Sequence, residues 1–272
     1  MGPGLQSPGP NPILDKTTVK SALMISYADW QAARLSALTA ADGWLNLTDR
    51  IVLGQGPQSL GSGPQNHLIL SVGPSHLGSL TLASPNAASL VTATGTQDFQ
   101  PHPGAGPRLT IAGLLLEIHT VDGVPALRVR DLSIRPNPRL TCFPFDPAWV
   151  IPATWAALTP PRLTGVDMIG GTSVAVTITH VARFTHAGHS VTLLPTHQKD
   201  GRPMFVIRDA TSGRQTYAAG RFLIAEPAGD RIVLDFNRAQ TPPCGFTDFA
   251  ICPLPPPENR LPFAVPAGEL TP

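Results

Sequence analysis

Ala112-Gly113-Leu114-Leu115-Leu116-Glu117-Ile118-His119-Thr120-Val121-Asp122-Gly123-Val124-Pro125-Ala126-Leu127-Arg128-Val129-Arg130-Asp131 places two glycine-bearing turn signals around apolar runs. Asp-Gly between two such runs marks a tight hairpin, because both turn residues must take positive φ. Arg130-Asp131 closes the second strand. The plan recurs as Ala187-Gly188, a strand, and then Asp200-Gly201-Arg202-Pro203-Met204-Phe205-Val206-Ile207-Arg208-Asp209. Two hairpins of like design pack side by side or face to face, as in a sandwich or barrel.

Outward from these hairpins the texture is the same. From Trp44 onward, short apolar runs are bounded by Gly, Pro, Asn or Asp, the pattern of antiparallel β-structure. The expected strands are 50–53, 67–72, 78–82, 89–94, 109–111, 114–120, 126–131, 172–179, 191–194, 204–208, 216–222 and 231–236. No βαβ alternation is present, which argues against a Rossmann or barrel-type α/β enzyme. One helix is expected, capped by Thr17 or Thr18 and carrying Val19, Leu23, Tyr27, Trp30, Arg34, Leu35 and Leu38 at helical spacing. It should end before Asp42-Gly43 and dock on a sheet. Ser26 and Asp29 could restart it as two short helices, and Trp30 is placed to cover the Arg34 stem.

The expected fold is therefore mostly β: antiparallel β-sandwich or barrel-like sheets with an N-terminal helical segment and an irregular Pro-rich C-terminal strap. Residues 1–16 read as a flexible tail, 17–110 as the helix plus a small β region, and 111–272 as the main β domain. The latter two can also form one continuous unit.

Composition narrows the function classes. The chain holds 31 Pro and 25 Gly against 19 Lys+Arg and 18 Asp+Glu, yet 42% of it is hydrophobic. That is enough apolar material for a core, which excludes general disorder, while the density of breakers excludes a coiled coil or helical bundle. Net charge is +1. The densest basic stretch, Arg128, Arg130, Arg135 and Arg139, is broken by Asp131 and two prolines, so no nucleic-acid partner is expected. No apolar run approaches the roughly 18 residues of a membrane span. An amino terminus without a signal-peptide pattern and only three cysteines point to a reducing, cytoplasmic setting.

Several motifs carry little chemistry. The stretch from Gly54 to Gly63 fits neither GxGxxG nor a Walker loop and reads as a turn between strands. His180, His186, His189 and His197 match no zinc signature, and neither does the Cys244 and Cys252 spacing. No metal site is assigned, and no cofactor is indicated.

The last forty residues differ in kind. Asp235 and Asn237 share one strand face, and the chain then runs through proline segments that lack donors for a ladder. Such a segment needs side-chain hydrogen bonds, so Asp235, Asn237, Arg238, Glu258, Asn259 and Arg260 could pin it as clamps. The same residues could instead converge on a cleft. In that reading Asp235 and Glu258 divide acid and base roles, and Cys244 serves as a nucleophile. Asn237, Arg238, Asn259 and Arg221 then bind the ligand.

The segment from Asp235 through Glu269, DFNRAQTPPCGFT…ICPLPPPENRLP…AGE, closely resembles the carboxyl-terminal signature of the uncharacterised bacterial domain of unknown function 1684 family. The likeness extends to Trp30…Arg34, Asp42-Gly43-Trp44-Leu45, Arg128-Val129-Arg130-Asp131 and the stretch from Asp209 to Leu223. Gln240-Thr241 stands where the family has Tyr-Asn, and Ile251 where it has Thr. The resemblance implies no activity. It does mark Arg221, Asp235, Asn237, Arg238, Cys244, Cys252, Glu258 and Asn259 as shared positions. The expected function is small-molecule binding, with hydrolase-like catalysis as one use of a polar pocket around the DFNR and PPENR segments. The alternative is a non-catalytic interaction or structural β-domain in which these residues clamp the strap. Neither assigns an enzyme, an oligomeric state or a partner beyond a small-molecule ligand.

Overall fold

The computed structural model describes residues 16–272, with side chains from Tyr27 onward. The expected tail and the side chains of Thr17, Thr18, Val19, Leu23 and Ser26 fall outside the described set. A single helix, α1 (Lys16–Thr39), takes the place of the two short ones that Ser26 and Asp29 could have made. Gly43 follows it, donating its N–H to the Ala40 carbonyl at 2.8 Å. A Cβ there would stand 2.8 Å from that same oxygen, so the chain can leave the helix this way only at glycine.

The helix docks on the C-terminal strap. Tyr27 stacks on Trp30 at 5.6 Å and tilts against Phe145 at 5.4 Å, so Trp30 packs on Tyr27 where the sequence suggested it would cover Arg34. Arg34 reaches instead to Glu269 at 2.7 Å and the Thr241 carbonyl at 2.7 Å, with its guanidinium 5.6 Å from the Phe246 ring centroid.

The first layered unit comprises β1 (Leu47–Val52), β2 (Gln58–Gly61), β3 (Leu68–Ile69), β4 (Gly78–Ser84), β5 (Ala87–Thr92), β6 (Gly95–Asp98), β7 (Gln100–His102), β8 (Ala105–Ile111), β9 (Leu114–Val121) and β10 (Val124–Asp131). They form two sheets, β1-β10-β9-β8-β7 and β3-β2-β4-β5-β6. Between them lies a leucine-rich core, in which Leu60, Leu80 and Leu90 meet Leu116, Ile118, Leu127 and Val129. All pairs are antiparallel except β2 with β3. The division expected at residue 110 falls inside β8, whose pairing with β7 and β9 carries one sheet across it.

The second unit comprises β11 (Val150–Asp167), β12 (Ser173–His186), β13 (His189–Leu193), β14 (His197–Lys199), β15 (Arg202–Ile207), β16 (Arg221–Ile224), β17 (Pro227–Ala228) and β18 (Arg231–Asp235). Its sheets run β13-β12-β11-β18-β17 and β14-β15-β16. Phe184, Leu193, Phe205, Leu223, Leu234 and Phe236 fill the space between them, and Val265 and Ala267 of the strap complete this core.

Among the described residues the architecture is mostly β, sandwich-like and without a closed barrel. Both expected Asp-Gly hairpins form: Asp122 and Gly123 have φ of 50° and 75°, and Asp200 and Gly201 have 53° and 76°. The two copies differ in where they lie. The first makes a continuous meander, β8-β9-β10. In the second, Leu194-Pro195-Thr196 carries the chain between sheets, so β12–β13 and β14–β15 end up in different layers. Prolines hid β11 from the sequence reading. Pro160 and Pro161 sit where the β11–β12 register shifts, between Ala157 and Arg162, so the ladder does not require their missing N–H groups. Among the described residues no helix is long and apolar enough to cross a membrane.

Candidate functional site

The residues singled out near the carboxyl terminus are engaged locally, in separate places. Arg221 is fully buried and pairs with Asp209 at 2.8 Å; it also donates to the Ala267 carbonyl and, at 3.1 Å, to that of Val265. Asn259, likewise fully buried, accepts from the Leu194 N–H at 2.8 Å and donates to the carbonyls of Leu194 and Val206, both at 2.9 Å. Asn237 makes the same kind of two-way contact with the Asp146 backbone, at 3.0 and 2.9 Å.

Asp235 caps the turn that follows it, accepting from the Asn237 N–H at 3.1 Å and pairing with Arg238 at 3.0 Å. Glu258 pairs with Arg162 at 2.6 Å near the surface. Cys244 lies beside Cys252, whose Sγ accepts the Cys244 N–H at 3.4 Å. Asp235, Asn237 and Arg238 thus share one turn, while Arg221, Asn259, Glu258 and Cys244 serve other neighbourhoods. Two cavities of about 420 Å³ each are present, and none of these seven residues lines either one.

One of these cavities opens between the two sandwich units, and its cationic wall is written into sheet register. β1 sets Arg50 opposite Arg128 on β10; β10 sets Arg128 opposite Glu117 on β9; β9 sets Glu117 opposite Arg108 on β8. Directly opposed residues project on the same side of a sheet about 5 Å apart, so the four form one transverse row. Arg130 and His119, two residues along their strands, point to the same face. The alternate residues Leu116, Ile118, Leu127 and Val129 face the leucine core.

The polar face is not left to water. Phe222, Pro243, Ile251, Cys252 and Pro253 of the second unit cover it, with Trp44 between, leaving the cavity. Glu117, Arg128 and Arg130 are nearly inaccessible, at 3%, 5% and 3% exposed. Glu117 draws three guanidiniums: Arg130 at 2.5 Å, Arg108 at 3.7 Å and Arg128 at 3.8 Å. Trp44 lies under two of them, 4.9 Å from Arg128 and 5.9 Å from Arg130. Gly106 lines the cavity as well, and a Cβ there would fall 1.6 Å from the Ile118 carbonyl oxygen, leaving space for no other residue.

The charges do not cancel. Burial by itself would raise the Glu117 carboxyl, but Arg130, Arg128 and Arg108 hold it below the usual carboxylate range. Two buried cations, Arg128 and Arg130, and the half-buried Arg108, which also pairs with the exposed Asp42 at 3.3 Å, therefore face the single buried carboxylate of Glu117. Burial and Arg128 push the His119 imidazole down to about 4, against the pull of Glu117, so it is neutral near pH 7. Burial also lowers Arg128 to about 10, which Glu117 opposes, and it stays charged. The Nε atoms of Arg50, Arg108 and Arg128 and Nδ1 of His119 are buried and have no hydrogen-bond partner. Buried polar groups are normally satisfied, and three of these, on Arg108, His119 and Arg128, line the same cavity.

The sequence reading takes Arg128-Val129-Arg130 as part of a hairpin strand, a broken basic stretch and a point of family likeness, and gives it no ligand-binding role. The signal it passed over is the alternation of Glu117-Ile118-His119 with Arg128-Val129-Arg130, which puts all four polar groups on one face. Alternation of this kind ordinarily marks a solvated face, and nothing local announces the second unit that covers it.

The other cavity lies among Trp155, Thr177, Thr179, His180, Thr196 and His197. His180 stacks on Trp155 at 5.2 Å, while His186 and His189 flank the Phe263 ring at 5.0 and 5.8 Å. Among the described residues no group of three or more His, Cys, Asp or Glu is placed to hold a metal ion.

No curated protein matches the chain. Among solved structures it is similar to the solution NMR structure of an uncharacterized protein from gene locus rrnAC0354 of Haloarcula marismortui, at 33% identity over 48% of this chain and 76% of that one, with a TM-score of 0.41. A family match covers residues 138–270, which include the strap wall of the cleft but not its arginine row. Through those residues the chain belongs to the family described as Protein of unknown function (DUF1684).

Proposed function

We propose that the chain binds a small organic anion in the cleft between its two sandwich units, and that the DFNR and PPENR residues hold the strap forming one wall of that cleft. The observation that carries this reading is the excess of buried guanidinium over carboxylate, with unpartnered Nε atoms at a cavity. Arginine presents a planar fork matched to carboxylate or phosphate. A neutral His119 supplies a hydrogen bond without adding charge. Trp44, Phe222 and Pro253 offer the ligand's body an apolar wall, so the cleft suits a carboxylate- or phosphate-bearing organic molecule better than a bare ion.

Support for the strap reading is the bonding itself. Asn259 and Asn237 spend their amides on backbone groups, and Arg221 is enclosed with Asp209 and two strap carbonyls. The test is a thermal-shift screen of mono- and dicarboxylates and phosphate esters at constant ionic strength, on the native chain and on Arg108→Gln. Arg108 is the least enclosed of the three arginines and its loss leaves the Arg130 pair with Glu117 in place. A set of anions raising the melting temperature of the native chain but not of Arg108→Gln is expected. Equal shifts in both proteins would refute the site.

A further inference from the structure

The strap holds a pair of thiols, of which Cys252 also lines the wall of the anion cleft and Cys244 does not. The 3-10 turn Pro243–Gly245 folds Cys244 back so that its N–H donates to the Cys252 sulfur at 3.4 Å. Both cysteines are free. Tyr217 completes the arrangement. Its hydroxyl donates to the Cys244 carbonyl at 2.9 Å, and its ring packs so closely on the turn that a Cβ at Gly245 would stand 3.4 Å from it and 2.3 Å from the Thr241 methyl. A proline-flanked turn therefore holds the Cys244 backbone against the Cys252 sulfur, so joining the two residues closes little additional loop.

The pair is also asymmetric. Cys244 is partly exposed, while Cys252 is buried among Met204, Val206, Phe222 and Ala250. The neighbouring Cys252 holds the Cys244 thiol below its ordinary pKa against the effect of burial; the same neighbour relation, together with burial, pushes Cys252 up. One sulfur is thus suited to attack and the other to hold its proton until needed.

We infer that Cys244 and Cys252 form a dithiol site that reduces a hydroperoxide, Cys244 attacking first and Cys252 resolving. The Cys244 thiolate displaces at the distal peroxide oxygen; an S–O bond forms, the O–O bond breaks, and the departing alkoxide or hydroxide takes up a proton to leave as alcohol or water. Cys252 then attacks the sulfur of the resulting sulfenic acid. The S–S bond forms as the S–O bond breaks, and the Cys252 proton leaves with the hydroxide as a second water. The two sulfurs are together oxidised by two electrons and the peroxide is reduced by two. The inference rests on the two cysteines and Tyr217 and does not require the anion reading, although Cys252 lines the cleft as well.

The test uses the reduced full chain and hydrogen peroxide as the probe, followed by alkylation of remaining thiols and peptide mass mapping. The expected product is an intramolecular disulfide joining Cys244 and Cys252, with Cys142 still alkylated. Cys252→Ser should stop at a Cys244 sulfenic acid that dimedone traps, and Tyr217→Phe should slow the native reaction while leaving the product unchanged. Cys244 and Cys252 both still alkylated after stoichiometric peroxide, or Cys142 oxidised ahead of them, would overturn the inference. The native-chain measurement decides this even where a variant folds poorly.

Discussion

At the scale of single residues, the polar groups divide by whether their partners are backbone or charge. Asn259 makes three hydrogen bonds while fully buried, and Asn259→Ala leaves those backbone groups with no route to water. It should lower stability by about 3 kcal/mol in a denaturant titration, since each unsatisfied buried group costs about 1–3 kcal/mol. Glu258→Gln breaks a pair near the surface and should cost about 0–1 kcal/mol in the same experiment. A large loss at Glu258 and none at Asn259 would contradict the division. His119 gives a pH signature. Its folded-state value near 4 lies below the ordinary 6.5, so the unfolded chain takes up its proton first, and stability falls as pH drops from about 6.5 toward 4. His119→Gln should flatten the melting-temperature profile over that window, while the drop below it, where Glu117 protonates, should persist. The need for clamps is legible in the sequence, because proline cannot supply ladder donors. What each clamp holds is not, because Asn259 finds its partners at Leu194 and Val206, distant in the chain.

At the scale of elements, turn chemistry is the most legible feature and strand length the least. Gly123 and Gly201 hold left-handed φ at two-residue hairpins, so Gly123→Ala should cost about 1 kcal/mol by chemical denaturation with little change in cleft affinity. Gly106→Ala differs in kind, because its Cβ would overlap the Ile118 carbonyl. It should both destabilise the chain and weaken anion binding; a variant as stable as the native chain would mean β8 and β9 are farther apart than described. β11 escaped reading because Pro160 and Pro161 look like breakers until one sees that they sit at a register shift. The strand-to-sheet assignment of the second hairpin copy escaped for another reason: Leu194-Pro195-Thr196 reads as an ordinary loop, and only the packed core shows that it changes layers.

At the scale of the whole molecule, two sandwich units bury between them a face that each would otherwise present to water. In the first unit, β8, β9, β10 and β1 each contribute a charged residue to one transverse row. The second unit brings the apolar strap and Phe222 over that row, removing the solvent that would screen its charges. Neither half contains the cleft alone, which is why motif reading within either could not find it. The charge excess of the row makes a direct claim about occupancy. A crystal structure grown with the anion that most raises the melting temperature should show it in the cleft, within hydrogen-bonding distance of Arg108 and Arg128 and with its apolar part against Trp44. Density for that anion elsewhere on the surface, with only water between the arginines, would contradict the account.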